Sequence, residues 1–436
     1  MDPKPLLWFH FYVCLIGVSS AGFLDRVKQK LGIGNDRGSS NSDNSGTRVS
    51  QGALTPVIIL PGDGGSQLQA WLERTSVRSN ICPMRTNGWT HVWADLDMLI
   101  PGLVDCWVDN LKLIYNNITR KTSNPEGVRT QVPGFGDTDS IEYLTGNQLP
   151  GSKYLAYIVD MLVDNGYKRN VSVRGAPYDF RKAQNEQEEY FILLKKLVED
   201  TYAANGNHKV TLIGHSLGCL FSLYFLNHQT QEWKDKYINA FIGMGGPWGG
   251  AVKPIKVIAT GDDLDIAIVS RSKIKDILRT NPSVAALLPS DKFWAKNETL
   301  IYTPQKVYNL GNLREFFYDL DFPEGWEFYQ DTKNLVYDLI PPGVKTYCLS
   351  GTGTATPATY VYKEGGFPKK IPMVISEDGD GTVNRRSLDG CERWKGKQRD
   401  EVVTKTFPGA GHRQMTRDKQ VLDYIREILF DYQING

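Results

Sequence analysis

The stretch Val210-Thr211-Leu212-Ile213-Gly214-His215-Ser216-Leu217-Gly218 runs directly into Cys219-Leu220-Phe221-Ser222-Leu223-Tyr224-Phe225-Leu226. A β-branched apolar run enters a Gly-x-Ser-x-Gly turn and continues as an apolar helical pattern, so the segment predicts strand, sharp turn, helix. A serine on such a turn has a crowded, strained backbone. That gives Gly214 and Gly218 a steric reason to be glycine and points Ser216 out of the sheet. The same five residues also fit a glycine-rich turn with a solvated serine. The reading as a nucleophile therefore depends on an acid and a base elsewhere in the chain.

Both are found at later strand ends. Pro372-Met373-Val374-Ile375-Ser376 reads as a core strand entering Glu377-Asp378-Gly379-Asp380-Gly381-Thr382-Val383, where Asp378 and Asp380 compete as the acid. Asp380, held between two glycines, is the choice. Asp-x-Asp-Gly spacing also fits a calcium loop, but the other ligands and the terminal Glu of an EF-hand are absent. Val402-Val403-Thr404-Lys405-Thr406-Phe407 predicts the last strand, and Pro408-Gly409-Ala410-Gly411 leads to His412. Ser216, Asp380 and His412 thus stand in the Ser, Asp, His order of α/β-hydrolases, each after a predicted strand. Of six histidines, His91, His208 and His228 lack comparable settings, and His215 belongs to the turn itself.

An early strand, Pro56-Val57-Ile58-Ile59-Leu60, runs into Pro61-Gly62-Asp63-Gly64-Gly65-Ser66. A glycine-rich loop there suits an oxyanion hole built from the Leu217 amide and, as the candidate second donor, the Asp63 amide; an ordinary turn fits the loop equally well. Helices over 155–165 and 187–203 alternate with strands over 171–174, 210–215, 240–244 and 345–350, which predicts a mostly parallel central sheet. From 251 to 342 the alternation fades into aromatic, mixed-charge segments, read as an inserted cap, with 261–270 as the mobile lid. Trp248, on a second glycine-rich loop, walls an acyl pocket or packs in the core. Lys253 meets an anionic headgroup or is a solvated surface charge.

Composition sets the class. With 436 residues, 41% of them hydrophobic, the chain can bury a large core. With 50 basic and 49 acidic residues there is no basic field for nucleic acid. Lys4 followed by the apolar run 6–18 and by Ser19-Ser20-Ala21-Gly22 predicts a signal peptide over 1–21. A Gly/Ser/Asn-rich tether follows over 22–52, and the folded domain over 53–432. Loss of Cys14 leaves five cysteines, suited to two disulfides and one free thiol, with Cys219 on the turn helix as the odd one. Near-neighbour pairing joins Cys82 to Cys106 and Cys348 to Cys391, each worth about 3–4 kcal/mol; crossed pairings stay open at this stage. No CxxC or HxxxH spacing supports a zinc site, and no metal ligand set is expected. Sequons at Asn117, Asn170 and Asn297 agree with a secretory compartment. The insert at about 75–120, with Trp89, Trp93, Leu96, Met98, Leu99 and Ile100, either touches lipid or packs on the domain.

With these residues in view, the chain resembles the lecithin:cholesterol acyltransferase and lysosomal phospholipase A2 family of α/β-hydrolases. The resemblance runs from about residue 56 to 432. It rests on Pro61-Gly62-Asp63, Cys106-Trp107-Val108-Asp109-Asn110, Val132-Pro133-Gly134-Phe135-Gly136, Ala176-Pro177-Tyr178-Asp179, Gly214-His215-Ser216-Leu217-Gly218-Cys219, Trp233-Lys234-Asp235-Lys236-Tyr237, Pro247-Trp248-Gly249-Gly250 and Gly379-Asp380-Gly381-Thr382-Val383. It implies Ser216 as nucleophile, Asp380 as acid, His412 as base, Asp63 and Leu217 amides as oxyanion hole, and the disulfides Cys82–Cys106 and Cys348–Cys391. It further implies cofactor-free, calcium-independent acyl-ester chemistry on glycerophospholipid with water or a lipid alcohol as acceptor, at a membrane or lipoprotein surface. Lysosomal location is the expectation and secretion the alternative. Gly245-Gly246 before Pro247 departs from the family pattern.

Overall fold

Val57–Leu60 is buried along its whole length, as its apolar run requires, and it pairs in parallel with a strand on each side. In the computed structural model of the chain, residues 54–93, 102–262 and 270–435 are described. The signal peptide over 1–21, the tether over 22–52, Leu96, Met98, Leu99 and Ile100 of the insert, and most of the expected lid at 261–270 lie outside those residues.

Six strands form the central sheet: β1 (Val57–Leu60), β2 (Val173–Gly175), β3 (Val210–His215), β4 (Ile238–Met244), β5 (Thr346–Thr352) and β6 (Val402–Pro408). Their order is β6-β5-β4-β3-β1-β2, and every pair is parallel. Side chains alternate across a strand. On β1, Ile58 and Leu60 enter one core with Leu212, Phe241, Leu194, Val198 and Phe221, while Val57 and Ile59 enter the other with Ile213, Ile242, Ile158, Leu162, Val421 and Ile425. The first core seats helices Glu188–Ala204 and Leu217–Asn227, the second Ala156–Asp164 and Lys419–Asn435. Helices thus cover both faces of a parallel sheet, the α/β-hydrolase architecture expected from the alternation.

One expectation needs correction, and one open choice is decided. Met373–Glu377 is not a core strand. It lies at the edge of a second sheet with Val307–Tyr308, Ile301–Tyr302 and Thr356–Val361, and its first four residues are exposed. Periodicity does not separate an apolar core strand from an apolar edge strand. Elements of the cap therefore come from both sides of β5 in the chain. In the insert, Trp93 is buried rather than turned to lipid: it stacks on Trp107, packs against Phe180 and donates its indole N–H to Gly64 O at 2.8 Å. Ile81, Met84, Trp89, Ile114 and Ile118 remain exposed.

Cys82–Cys106 and Cys348–Cys391 are joined, with Cα–Cα distances of 5.4 and 6.7 Å, and Cys219 is a buried free thiol. The second bridge ties β5 to the 3-10 turn Asp389–Trp394. Asn117, Asn170 and Asn297 are all exposed.

Candidate active site

The turn after β3 carries the backbone strain that its sequence predicts. Ser216 has φ 55° and ψ −123°, outside the regions open to ordinary residues, and its own N–H is tied to Met244 O at 2.9 Å. A Cβ on Gly214 would stand 2.8 Å from Gly218 O, and one on Gly218 would stand 2.4 Å from Leu60 O and 2.5 Å from Pro61 O. Those neighbours are backbone and cannot rotate away. Gly218→Ala is therefore expected to destabilise the fold by about 3 kcal/mol or more, read as a shift in denaturant midpoint; a midpoint within error of the parent's would show that the turn relaxes freely.

Ser216 Oγ lies 2.8 Å from His412 Nε2, and His412 Nδ1 lies 2.7 Å from Asp380 Oδ2. The directions of these bonds follow from chemistry. A carboxylate oxygen accepts, so Nδ1 carries hydrogen and Nε2 offers its lone pair to the serine hydroxyl. Asp380 is buried, and its Oδ1 accepts the Thr382 and Val383 N–H groups at 3.0 and 2.7 Å. Asp380 is also tied to the end of the central sheet: it bridges to Thr354, just past the end of β5, and its carbonyl receives the His412 N–H at 2.7 Å. Gly245, at the end of β4, has φ +60°, and a Cβ there would approach His412 Nδ1 to 3.1 Å and Asp380 Oδ2 to 3.4 Å. The glycine pair that departs from the family pattern thus leaves room for the imidazole–carboxylate contact.

The loop after β1 is held from three sides. Tyr154 Oη accepts Gly62 N–H at 2.9 Å, Tyr178 Oη donates to Pro61 O at 2.8 Å, and Trp93 holds Gly64. Among the described residues, neither the Asp63 N–H nor the Leu217 N–H meets an acceptor within the protein. A Cβ on Gly62 would touch Ser216 Cβ at 2.9 Å, so this loop lies against the serine. Asp63 is exposed to solvent, yet protein atoms crowd around its carboxyl. Lost hydration outweighs the Gly64 N–H bond and pushes its carboxyl up to about 7.

His215 and Tyr154 join the two loops beneath the serine. His215 Nε2 lies 3.0 Å from His412 O, a group that only accepts, so Nε2 carries the hydrogen. Nδ1 then accepts from Tyr154 Oη at 2.5 Å. The hydrogen-bonded chain runs from Gly62 N–H through Tyr154 and His215 to the His412 carbonyl. Burial, with His412 close by, pushes the His215 imidazole down to about 3, so it stays neutral. Sequence reading missed Tyr154, which is 92 positions from Gly62 and carries no local motif. It assigned His215 only to the turn.

Trp248 is packed against Phe241 and Trp394, and Lys253 begins the helix Lys253–Ala259. Trp248 does wall a cavity of about 310 Å³ with Leu220, Pro247, Tyr329 and Tyr337, but Ser216, Asp380 and His412 do not line it. No described contact brings Trp248 or Lys253 to the three hydrogen-bonded residues.

The profile of a family described as Lecithin:cholesterol acyltransferase matches residues 89–419. A lysosomal phospholipase A and acyltransferase of Bos taurus is 42% identical over 87% of this chain and 92% of its own. The Homo sapiens protein of that name is 40% identical over 87% and 91%. A Homo sapiens phosphatidylcholine-sterol acyltransferase is 44% identical over 86% of this chain and 84% of its own. By family profile and by relatives aligned along most of their length, this chain belongs to the lecithin:cholesterol acyltransferase family.

Proposed function

We propose that the chain is a serine-dependent phospholipase A and lipid O-acyltransferase whose nucleophile, base and acid are Ser216, His412 and Asp380. His412 Nε2 takes the hydroxyl proton as Ser216 Oγ attacks an ester carbonyl of a glycerophospholipid. The Asp63 and Leu217 N–H groups receive the oxyanion. As the tetrahedral adduct collapses, His412 returns the proton to the departing lysophospholipid oxygen, leaving a fatty-acyl ester on Ser216. Water or the hydroxyl of a lipid alcohol then attacks that ester while His412 accepts the proton. Ser216 is regenerated, and the product is a fatty acid or a new ester. Asp380 fixes the tautomer of His412 and stabilises its cationic form.

The observation that carries this reading is the unbroken chain Ser216 Oγ, His412, Asp380, with the loop that holds Asp63 lying against the serine and, among the described residues, no protein acceptor for the Asp63 or Leu217 N–H. The relatives' names supply the lipid: lysosomal phospholipase A and acyltransferase in one group, phosphatidylcholine-sterol acyltransferase in the other. We assign the lysosome as the site of action, with secretion as the alternative. The test is fatty-acid release from phospholipid vesicles, with ceramide and sterol as competing acceptors, at acid and neutral pH. Release without any acyl transfer would limit the chain to hydrolysis, and transfer only to sterol would move it to the second group.

Tyr154 and His215 position the machinery without touching substrate. Tyr154→Phe strands the Gly62 N–H and the His215 Nδ1, each at a cost of about 1–3 kcal/mol when buried. The expected result is a roughly tenfold fall in kcat with KM nearly unchanged, because the hydroxyl orients Gly62 and His412 rather than the lipid. A rise in KM alone would contradict that role.

A further inference from the structure

The second sheet turns an apolar face outward. Its strands pair so that Met373, Val361, Tyr302 and Val307 form one cross-strand row, and Ile375 lies on the same face two residues on. The neighbouring row holds Tyr360, Ile301 and Tyr308, all buried, and is the side that packs on the protein; only its member on the edge strand, Val374, is open, at 47% exposure, which widens the apolar surface there. A sheet with one packed face ordinarily shows polar side chains on the other. Here Met373 and Ile375 are each 57% exposed, Ile371 is 64% and Tyr302 is 45%. Among the described residues the edge strand Met373–Glu377 has no paired strand on its far side. Lys363, Lys369 and Lys370, where the chain enters and leaves this end of the sheet, are exposed and make no ion pair or side-chain hydrogen bond among the described residues.

We propose that this outer face docks on the interface of an anionic lipid bilayer. Aliphatic side chains beside a tyrosine match the interfacial layer, and three unpaired ammonium groups at one end match acidic headgroups. The surface is separate from the disulfide-closed insert. Its edge strand continues into Asp378 and Asp380, and Asp380 holds His412, so a bilayer seated here lies one loop away from the reacting groups. The assignment rests on reading the site as acting on lipid esters. A second copy of the chain pairing along the bare edge is the competing occupant.

The experiment is flotation of the full chain carrying Ser216→Ala, which leaves vesicles intact, with phosphatidylcholine vesicles made with and without phosphatidylserine. Adding Met373→Thr and Ile375→Thr is expected to weaken binding to both vesicles by roughly tenfold or more. Adding Lys369→Gln and Lys370→Gln is expected to cost about fivefold per lysine, only on vesicles with phosphatidylserine and only at low salt. In the Ser216 background the same surface variants should hydrolyse a water-soluble ester at the parental rate, which shows that they fold. Unchanged flotation of both sets overturns the proposal, as does a parental dimer that dissociates with Ile375→Thr. If the parent cleaves neither ester nor phospholipid, the catalytic reading fails, while flotation still decides the surface.

Discussion

Ser216→Ala is expected to lower fatty-acid release from phospholipid by about four orders of magnitude or more, and Asp380→Asn by a comparable factor, with the fold intact in both. The first loss follows from chemistry: without Oγ there is no acyl-enzyme, and the two N–H groups at Asp63 and Leu217 are left to act on an uncatalysed attack by water. The second follows from hydrogen-bond direction. Oδ1 of Asp380 is committed to the Thr382 and Val383 N–H groups, so an asparagine keeps its oxygen there and turns its NH₂ toward His412. An NH₂ donates, which forces the imidazole to carry its hydrogen on Nε2. In that tautomer His412 cannot take the proton of Ser216. The measurements are steady-state rates on phospholipid vesicles, labelling by a fluorophosphonate, and thermal melting. Ser216→Ala should lose labelling outright, whereas Asp380→Asn should label slowly, because its hydroxyl is present but not activated. Melting within a few degrees of the parent excludes misfolding. Fatty-acid release at the parental rate from Ser216→Ala would end the assignment.

What could be read from the chain divides by range. The turn at Ser216 was legible because its cause is local: a buried strand, two glycines whose added Cβ atoms would strike backbone, and a helix beginning at Leu217. Much of the central sheet was legible for the same reason, since β1, β3 and β4 are short, largely apolar runs closed by turns. Met373–Glu377 was misplaced because an apolar run at a bare sheet edge looks the same as one in the core. Trp93 was left open between lipid and the domain, and its partners Trp107, Phe180 and Gly64 decide for the domain. The support beneath the site was illegible. Tyr154 meets Gly62 and His215 only after the chain has folded, and nothing beside it in sequence marks a tyrosine that must have a hydroxyl. Asp63 was chosen for its backbone N–H; its side chain brings a charge to the same place, and that charge has consequences of its own.

Hydrolysis by the parent chain is expected to fall by between about tenfold and a hundredfold as pH rises through about 7, and Asp63→Asn is expected to remove most of that fall. The carboxyl belongs to the residue whose N–H is proposed to receive the oxyanion. Ionised, it repels that charge; two unit charges a few ångströms apart at an effective dielectric of about 20 repel by about 3–4 kcal/mol, which the solvent exposure of Asp63 reduces. Protonated, it does not. Its value of about 7 in the folded chain, against 3.8 ordinarily, places the change at neutral pH. The sign for stability is the same. A carboxyl raised on folding binds its proton more tightly in the folded state, so its burial costs nothing below about pH 4, costs progressively more up to about 7, and costs the full amount above that. Asparagine carries no such charge. The variant should therefore melt above the parent at about pH 8 and with it at about pH 4. The decisive measurement is the pH profile of kcat on a neutral phospholipid for both chains, with melting followed over the same range. Superimposable profiles would show that the Asp63 carboxyl does not face the oxyanion, whatever its N–H does.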